Sequence, residues 1–150
     1  MQRPITDAHV FIVEKFAIPM TVGKIQCLRP TVWLNDEVIN FYCGMLMPKR
    51  WVYCFSSFFF VKLLERGRFK YERVGRWTKK LNVFALKKIF IPVHLPGHWA
   101  LIYIDVLRKE IYYYCSMKSM GKLYTSSALK VFMNYLLLSD IIYSLKHCLK

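Results

Sequence analysis

Two side chains suited to proton transfer, His98 and Cys115, lie in the second half of the sequence. His98 precedes Trp99 at the start of one predicted strand, and Cys115 follows the end of the next strand, 17 residues later. In an antiparallel hairpin the beginning of one strand lies beside the end of its neighbour, so we expect the two side chains to be adjacent. Such a pair is typical of a catalytic base and its orienting partner. A lone histidine at a strand start is nevertheless more often structural, and a cysteine on a buried strand usually packs as a small hydrophobic residue.

Three short segments rich in β-branched and aromatic residues predict the sheet that would hold this pair. They cover 89–93, 99–104 and 110–114, and the last two are joined by a plausible hairpin connection at 105–109. The sequence therefore predicts a small sheet built around a β-hairpin.

Helices are predicted on both sides of these strands. Residues 16–28 predict a short extended piece followed by a polar turn, and Asn35 caps a predicted helix over 36–47 that Pro48 ends. Residues 54–66 have helical spacing, although their aromatic run would also suit a buried strand. A last helix is predicted over 126–138, which makes the fold class α+β.

Composition predicts one folded domain over 1–150, since 55% of the residues are hydrophobic and 17% aromatic. The net charge of +14 favours acidic partners, including nucleic acid, but no combined aromatic and basic motif supports nucleic-acid binding. No apolar run reaches the roughly 18 residues of a membrane span, and no signal peptide is recognised, so we expect a soluble intracellular protein.

The five cysteines are an odd number without CxxC pairs. This pattern predicts neither a disulfide framework nor a zinc site, and we expect five reduced thiols and no metal or other cofactor.

Several segments together resemble the sentrin or SUMO-specific proteases, which are Ulp-family cysteine peptidases. The resemblance rests on WLNDEVINFYCGML at 33–46, FSSFFFVKL at 55–63, RWTKKLNVF at 76–84 and IPVHLPGHWALIYIDVLRKEIYYYCSM at 91–117. It is collinear over 16–121. It implies a papain-like cysteine protease fold, incomplete in this chain, with helices packed on a small mixed sheet.

The family pattern places its chemistry in a His-Trp pair, an Asp 17 residues later in Tyr-Tyr-Asp-Ser-Met, and a distant Asp-Cys-Gly. The resemblance makes His98 the remnant base and puts Cys115 where the family has its acid. No Asp-Cys-Gly occurs in these 150 residues, and Cys148 lacks the neighbouring Asp and Gly. We therefore expect the chain to be the N-terminal two-thirds of the catalytic domain, ending before the nucleophile, and to be inactive.

The resemblance also implies residues that contact the substrate, SUMO or a SUMO-conjugated protein. Trp33 and Trp99 match the tryptophans that roof the tunnel for the diglycine tail, Asp36 and Arg76 match positions that pair with SUMO charges, and His94 matches one beside the leaving group. Without the family match, the tryptophans would be interpreted as core aromatics and Asp36 as a helix cap.

Three alternatives stay open. The chain could be a non-enzymatic SUMO-binding module, a basic nucleic-acid-binding protein, or part of an active peptidase whose remaining third is supplied by a longer isoform. By resemblance we expect a nuclear or nucleocytoplasmic protein.

Overall fold

A computed structural model describes residues 7–65, 68–78, 81–82 and 85–117. The helix predicted over 126–138 and Cys148 lie outside these residues. The chain divides into two compact units, with the boundary between Pro48 and Lys49. The prediction that both belong to a single partial protease domain stays a prediction.

The N-terminal unit begins with a two-stranded antiparallel sheet of β1 (Phe11–Lys15) and β2 (Ile18–Thr21). Between the strands, Phe16 and Ala17 have φ values of 59° and 57°, the left-handed conformation that tight hairpin turns require at both central residues. The helical turn α1 (Val22–Ile25) and a 3₁₀ turn at Gln26–Leu28 follow. The predicted extended piece in 16–28 is confirmed by β2.

Helix α2 (Asp36–Leu46) confirms the helix predicted over 36–47 to within one residue. Asn35 caps it, because its side-chain Oδ1 accepts a hydrogen bond of 2.8 Å from the backbone N–H of Val38. Glu37 in the first turn forms an ion pair with Lys24, at 2.6 Å between carboxylate and ammonium. The cap, together with acidic residues near the helix N-terminus, explains why this boundary could be read from the sequence.

The second unit is built on a four-stranded mixed sheet in the order β3-β6-β7-β8. Strand β3 pairs parallel with β6, whereas β6, β7 and β8 form an antiparallel meander. The bounds are β3 (Val52–Cys54), α3 (Phe58–Leu63), β4 (Leu64–Glu65), β5 (Arg68–Phe69), a 3₁₀ turn (Tyr71–Arg73), α4 (Gly75–Thr78), β6 (Lys88–Leu95), β7 (His98–Asp105) and β8 (Glu110–Tyr114).

The three predicted strands are confirmed as β6, β7 and β8, while the helix predicted over 54–66 is wrong in its extent. Only Phe58–Leu63 are helical, with β3 just before the helix and β4 just after it. Val52–Cys54 pair with Lys88–Phe90, more than thirty residues away in the sequence. A parallel pairing over that separation leaves no signal in local periodicity.

The core of this unit lies on one face of the sheet, against α3. Alternation along β6 and β7 brings Ile91, Val93, Ile102 and Ile104 to this face, where each is at most 2% exposed. Helix α3 contributes Phe59, Phe60 and Leu63. Successive residues of a strand point to opposite faces, so the remaining side chains of β6 and β7 lie on the other face of the sheet.

A two-residue turn at Pro96 and Gly97 joins β6 to β7, and Leu95 and His98 are the pair that closes it. Gly97 has a φ of 64°, and Pro-Gly at the two central positions is typical of a type II turn. The turn therefore makes His98 the first residue of β7.

Within the described ranges the longest helix is α2, with 11 residues, and no helix there has the length and hydrophobicity needed to cross a membrane.

Candidate functional site

His98 lies on the core-facing side of the sheet, at the edge of the core. It is 8% exposed and shares this face with Ala100 and Ile102 along β7. A buried polar side chain needs a hydrogen-bond partner, because an unsatisfied polar group away from water is costly.

That partner is Cys115, and the predicted adjacency is confirmed. Leu101 pairs with Tyr114 at the end of the β7–β8 ladder, and continuing the register places Cys115 opposite Ala100, one step from His98 on the same face. The His98 Nε2 and Cys115 Sγ atoms are 3.0 Å apart. Cys115 also points its thiol toward the backbone carbonyl of Met117, at 3.7 Å between Sγ and O. The thiol proton therefore has two acceptors within reach, the imidazole and a carbonyl.

Tyr113 is a third polar group beside this pair, and sequence reasoning missed it. Its hydroxyl oxygen is buried and has no hydrogen-bond partner among the described residues. Burial raises the pKa of the Tyr113 phenol, and the neighbouring Cys115 thiol raises that pKa further. The available signal was its position two residues before Cys115, which puts both side chains on one face of β8.

A thiol at this position differs chemically from the carboxylate of the family pattern. A carboxylate is a charged acceptor that fixes the tautomer of its histidine and stabilises the imidazolium, whereas a thiol is a weak donor and acceptor. His98 and Cys115 can exchange one proton between them. A neutral thiol does not give His98 the permanently charged acceptor that a carboxylate gives a catalytic histidine.

Trp99 and His94 lie on the other face of the sheet. They form a cross-strand pair between β7 and β6, with ring centroids 4.4 Å apart and a 36° angle between the planes. Trp99 is half-buried and His94 is exposed. Because Trp99 lies opposite the core cluster, its interpretation as a core aromatic is not supported.

Trp33 and Asp36 lie in the N-terminal unit. Trp33 is 63% exposed, which removes its interpretation as a core residue. Asp36 is the first residue of α2, and the capping side chain is that of Asn35, so Asp36 does not serve as the cap. Both structural explanations offered for these two residues fail, and their roles in binding stay predictions.

Arg76 lies on α4, with its side chain exposed. The neighbouring Trp77 packs its ring against Phe59, with the centroids 5.5 Å apart, and this contact attaches the short helix to the core. Arg76 is thus held on a fixed element, and its pairing with a charge on a partner is also still a prediction.

The cysteines correct one expectation. Cys27 and Cys115 are free thiols, but Cys43 and Cys54 are disulfide-bonded, so the expectation of five reduced thiols is wrong. The spacing argument failed because it detects motifs such as CxxC, whereas a disulfide requires only that the fold brings two cysteines to the right distance. No cluster of three or more metal-ligating side chains occurs in the part of the chain that the structure describes.

Comparison with known proteins gives a family and a fold. Residues 32–142 match the sequence model of the Ulp1 protease family, C-terminal catalytic domain. The human Sentrin-specific protease 2 is 40% identical over 112 residues, covering 71% of this chain and 18% of the relative. The Ubiquitin-like-specific protease 1A of Arabidopsis thaliana is 39% identical over 127 residues, covering 75% of this chain and 25% of the relative. The chain thus spans about a quarter or less of the length of these curated relatives.

Solved structures agree. The C-terminal Ulp1 protease domain in complex with Smt3, the yeast ortholog of SUMO, superposes with a TM-score of 0.76 at 32% sequence identity. The match covers 87% of this chain and 60% of that domain, and it confirms the predicted α+β, papain-like architecture. Because the family model matches well over half of its residues, this chain belongs to the Ulp1 protease family.

Proposed function

We propose that this chain is a SUMO-protease-type domain that has lost peptide-bond hydrolysis and retains recognition of a SUMO-type modifier. The observation that carries the proposal is the 3.0 Å contact between His98 Nε2 and Cys115 Sγ, at the place where the family pattern has a carboxylate. In the serine-protease template, removing the orienting acid alone costs about 10⁴ in rate. The retained histidine is therefore expected to be ineffective as a base for peptide hydrolysis.

The described free thiols support the same proposal. The family pattern places its nucleophile in Asp-Cys-Gly, and neither Cys27 nor Cys115 has Asp before it and Gly after it. Of the two free thiols in the described ranges, Cys27 is 7% exposed in the N-terminal unit and Cys115 occupies the acid position. Neither stands in the sequence context from which the family attacks its substrate.

Recognition is supported by where three side chains lie. Trp33 is exposed, Asp36 is not a cap, and Trp99 lies on the face of the sheet opposite the core. A large exposed indole is an effective anchor for a partner, because it buries much area at low entropic cost. The solved complex of a related Ulp1 domain with Smt3 supports SUMO as the class of partner. We propose the nucleus as the place of action, by family resemblance.

The first experiment tests the loss of hydrolysis. The purified 150-residue chain should not cleave a SUMO precursor above the level of a His98→Ala control, since Cys115 stands in place of the acid and neither described free thiol has the sequence context of the family's nucleophile. Cys115→Asp alone should not restore cleavage, because a carboxylate would orient the base without supplying a thiol that attacks. Cleavage by the unmodified chain that His98→Ala abolishes would contradict the proposal.

The second experiment tests recognition, with calorimetric titration of mature SUMO into the chain. We expect measurable binding that Trp33→Ala weakens about tenfold or more, as for a binding hot spot. Trp51→Ala is the matched control, because Trp51 is also an exposed indole, at 47%, and has no predicted role in binding. Absence of binding, or equal weakening by both substitutions, would contradict retained recognition.

A further inference from the structure

The His98–Cys115 pair has a second chemical meaning, because a sulfur nucleophile lies within hydrogen-bond distance of a base. The defining geometry of an activated thiol is a side-chain base that can take the proton as the sulfur attacks. His98 Nε2 lies 3.0 Å from Cys115 Sγ, which is within that range. The family pattern has a carboxylate at position 115, so this arrangement departs from that pattern.

We propose that Cys115 and His98 form a base-assisted thiol site that exchanges with small disulfides, so that Cys115 is a site of reversible S-thiolation. The ligand class is a low-molecular-weight disulfide, which a thiol attacks directly at sulfur without a further oxidant. The proposal uses neither the modifier-binding residues nor peptide hydrolysis. It can therefore fail or hold independently of the proposed function.

The exchange balances without any group that the site lacks. Cys115 Sγ forms a bond to one sulfur of the disulfide, the sulfur–sulfur bond of the reagent breaks, and the second half leaves as a thiolate. His98 Nε2 accepts the proton from Cys115 as the attack proceeds and donates it to the leaving thiolate. The products are a mixed disulfide at Cys115 and one free thiol.

The surroundings of the pair are compatible with this chemistry. Cys115 is partly exposed, so a small reagent can reach the sulfur, whereas His98 is held at the edge of the core. The core-facing side chains of β6 and α3 are apolar, and the titratable neighbour on β8 is Tyr113. Burial raises the Tyr113 pKa, and the adjacent Cys115 raises it further, so the phenol stays protonated near neutral pH and can donate its O–H to developing negative charge on sulfur.

Cys27 provides an internal reference in the same molecule. It is also a free thiol, but it is buried, and no hydrogen bond to a base is described for it. Cys43 and Cys54 are disulfide-bonded and do not react as thiols. A difference between Cys115 and Cys27 therefore reports the local environment of each thiol under identical conditions.

The test measures the reaction of the full chain with hydroxyethyl disulfide, a neutral reagent that the net charge of +14 does not concentrate. Peptide mapping by mass spectrometry gives a rate for each cysteine, and His98→Gln is the matched variant. At about pH 6.5, where an ordinary thiol is largely protonated, His98→Gln should slow modification of Cys115 by on the order of tenfold. The difference between the wild-type and variant rates at Cys115 should narrow at about pH 9.5, where hydroxide deprotonates thiols without assistance. If His98→Gln acted only by loosening the packing, the Cys27 rate would change as well. The difference in Cys115 rate between wild type and variant would then persist at about pH 9.5.

A second measurement needs no variant. Cys115 in the folded chain should react faster at about pH 6.5 than Cys115 in the same chain unfolded in urea, where the histidine is no longer beside it. The proposal is overturned if unfolding accelerates the reaction of Cys115, or if a folded His98→Gln variant reacts at the wild-type rate at both pH values.

Discussion

The two units of this protein differ in how many apolar side chains they bury. In the second unit, a contiguous cluster of buried apolar side chains connects the sheet with α3, and His98 lies at its edge. Among the described residues of the N-terminal unit, the buried hydrophobic side chains are only Met20, Cys27 and Cys43. That unit instead exposes Phe11, Trp33 and other large apolar side chains.

The contrast fits the roles proposed above for His98 and Trp33. A proton-transfer pair needs its atoms held within a fraction of an ångström, which a packed sheet provides. Recognition of a partner needs side chains that remain accessible until the partner covers them, and an exposed indole such as Trp33 meets that need. Substitutions in the buried cluster of the second unit should therefore affect stability first, and substitution of the exposed Trp33 should affect binding first.

The largest expected effect comes from removing core volume beneath the hydrogen-bonded pair. Ile102 is 0% exposed on the core face of β7, so Ile102→Ala should lower the free energy of unfolding by about 2–5 kcal/mol. Leu107→Ala is the control, because Leu107 is 70% exposed in the β7–β8 connection and its truncation should cost no more than about 0.5 kcal/mol. Urea denaturation followed by circular dichroism gives both values. A similar loss of unfolding free energy in the two variants would contradict the difference in packing between Ile102 and Leu107.

A smaller effect tests whether the N-terminal unit has any close packing of its own. Gly44 in α2 lies against Phe16, and an added Cβ would come within 2.4 Å of the Phe16 ring. Gly44→Ala should therefore destabilise the chain by up to about 2 kcal/mol, since strain of about 1–3 kcal/mol outweighs the gain in helix propensity.

The control for that substitution is the same change in a Phe16→Ala background. With the ring removed, only the preference of a helix for alanine remains, and Gly44→Ala should stabilise the chain by about 0.5–1 kcal/mol. A reversal of sign identifies Phe16 as the cause of the strain. A Gly44→Ala substitution that is equally tolerated in both backgrounds would show that this unit is not closely packed around α2.

The sequence predicted the parts of the site that depend on local rules. The hairpin connection at 105–109 and the alternation of the flanking segments are sufficient to place His98 beside Cys115, because hairpin register depends on nearby residues. The start of α2 followed from Asn35 and the acidic residues after it. In these places, the residues that fix the geometry are adjacent in the sequence.

The parts that could not be predicted depend on contacts between distant segments. The parallel pairing of β3 with β6 results from such a contact. A single sequence carries no record of it. The same limit hid Tyr113, since its burial beside Cys115 depends on what covers β8 rather than on its own residue type.

The smallest expected effect concerns Asp105, the last residue of β7 in the second unit. The Arg108 N–H donates a 3.0 Å hydrogen bond to the Asp105 carboxylate, and this bond, with one from the Tyr103 hydroxyl, holds the Asp105 pKa below its usual value. Because the folded state lowers the pKa, the associated stability is complete above the unfolded value of about 3.9 and is lost as the pH falls below it. Asp105→Asn keeps an oxygen that can accept from Arg108 but removes the charge. The free energy of unfolding of the wild type should therefore exceed that of Asp105→Asn at pH 7, and the difference should shrink near pH 3, with both values measured by urea denaturation. The effect is small because solvent screens this carboxylate. If the wild type and Asp105→Asn differed by the same unfolding free energy at both pH values, the hydrogen bonds would stabilise charged and neutral side chains alike.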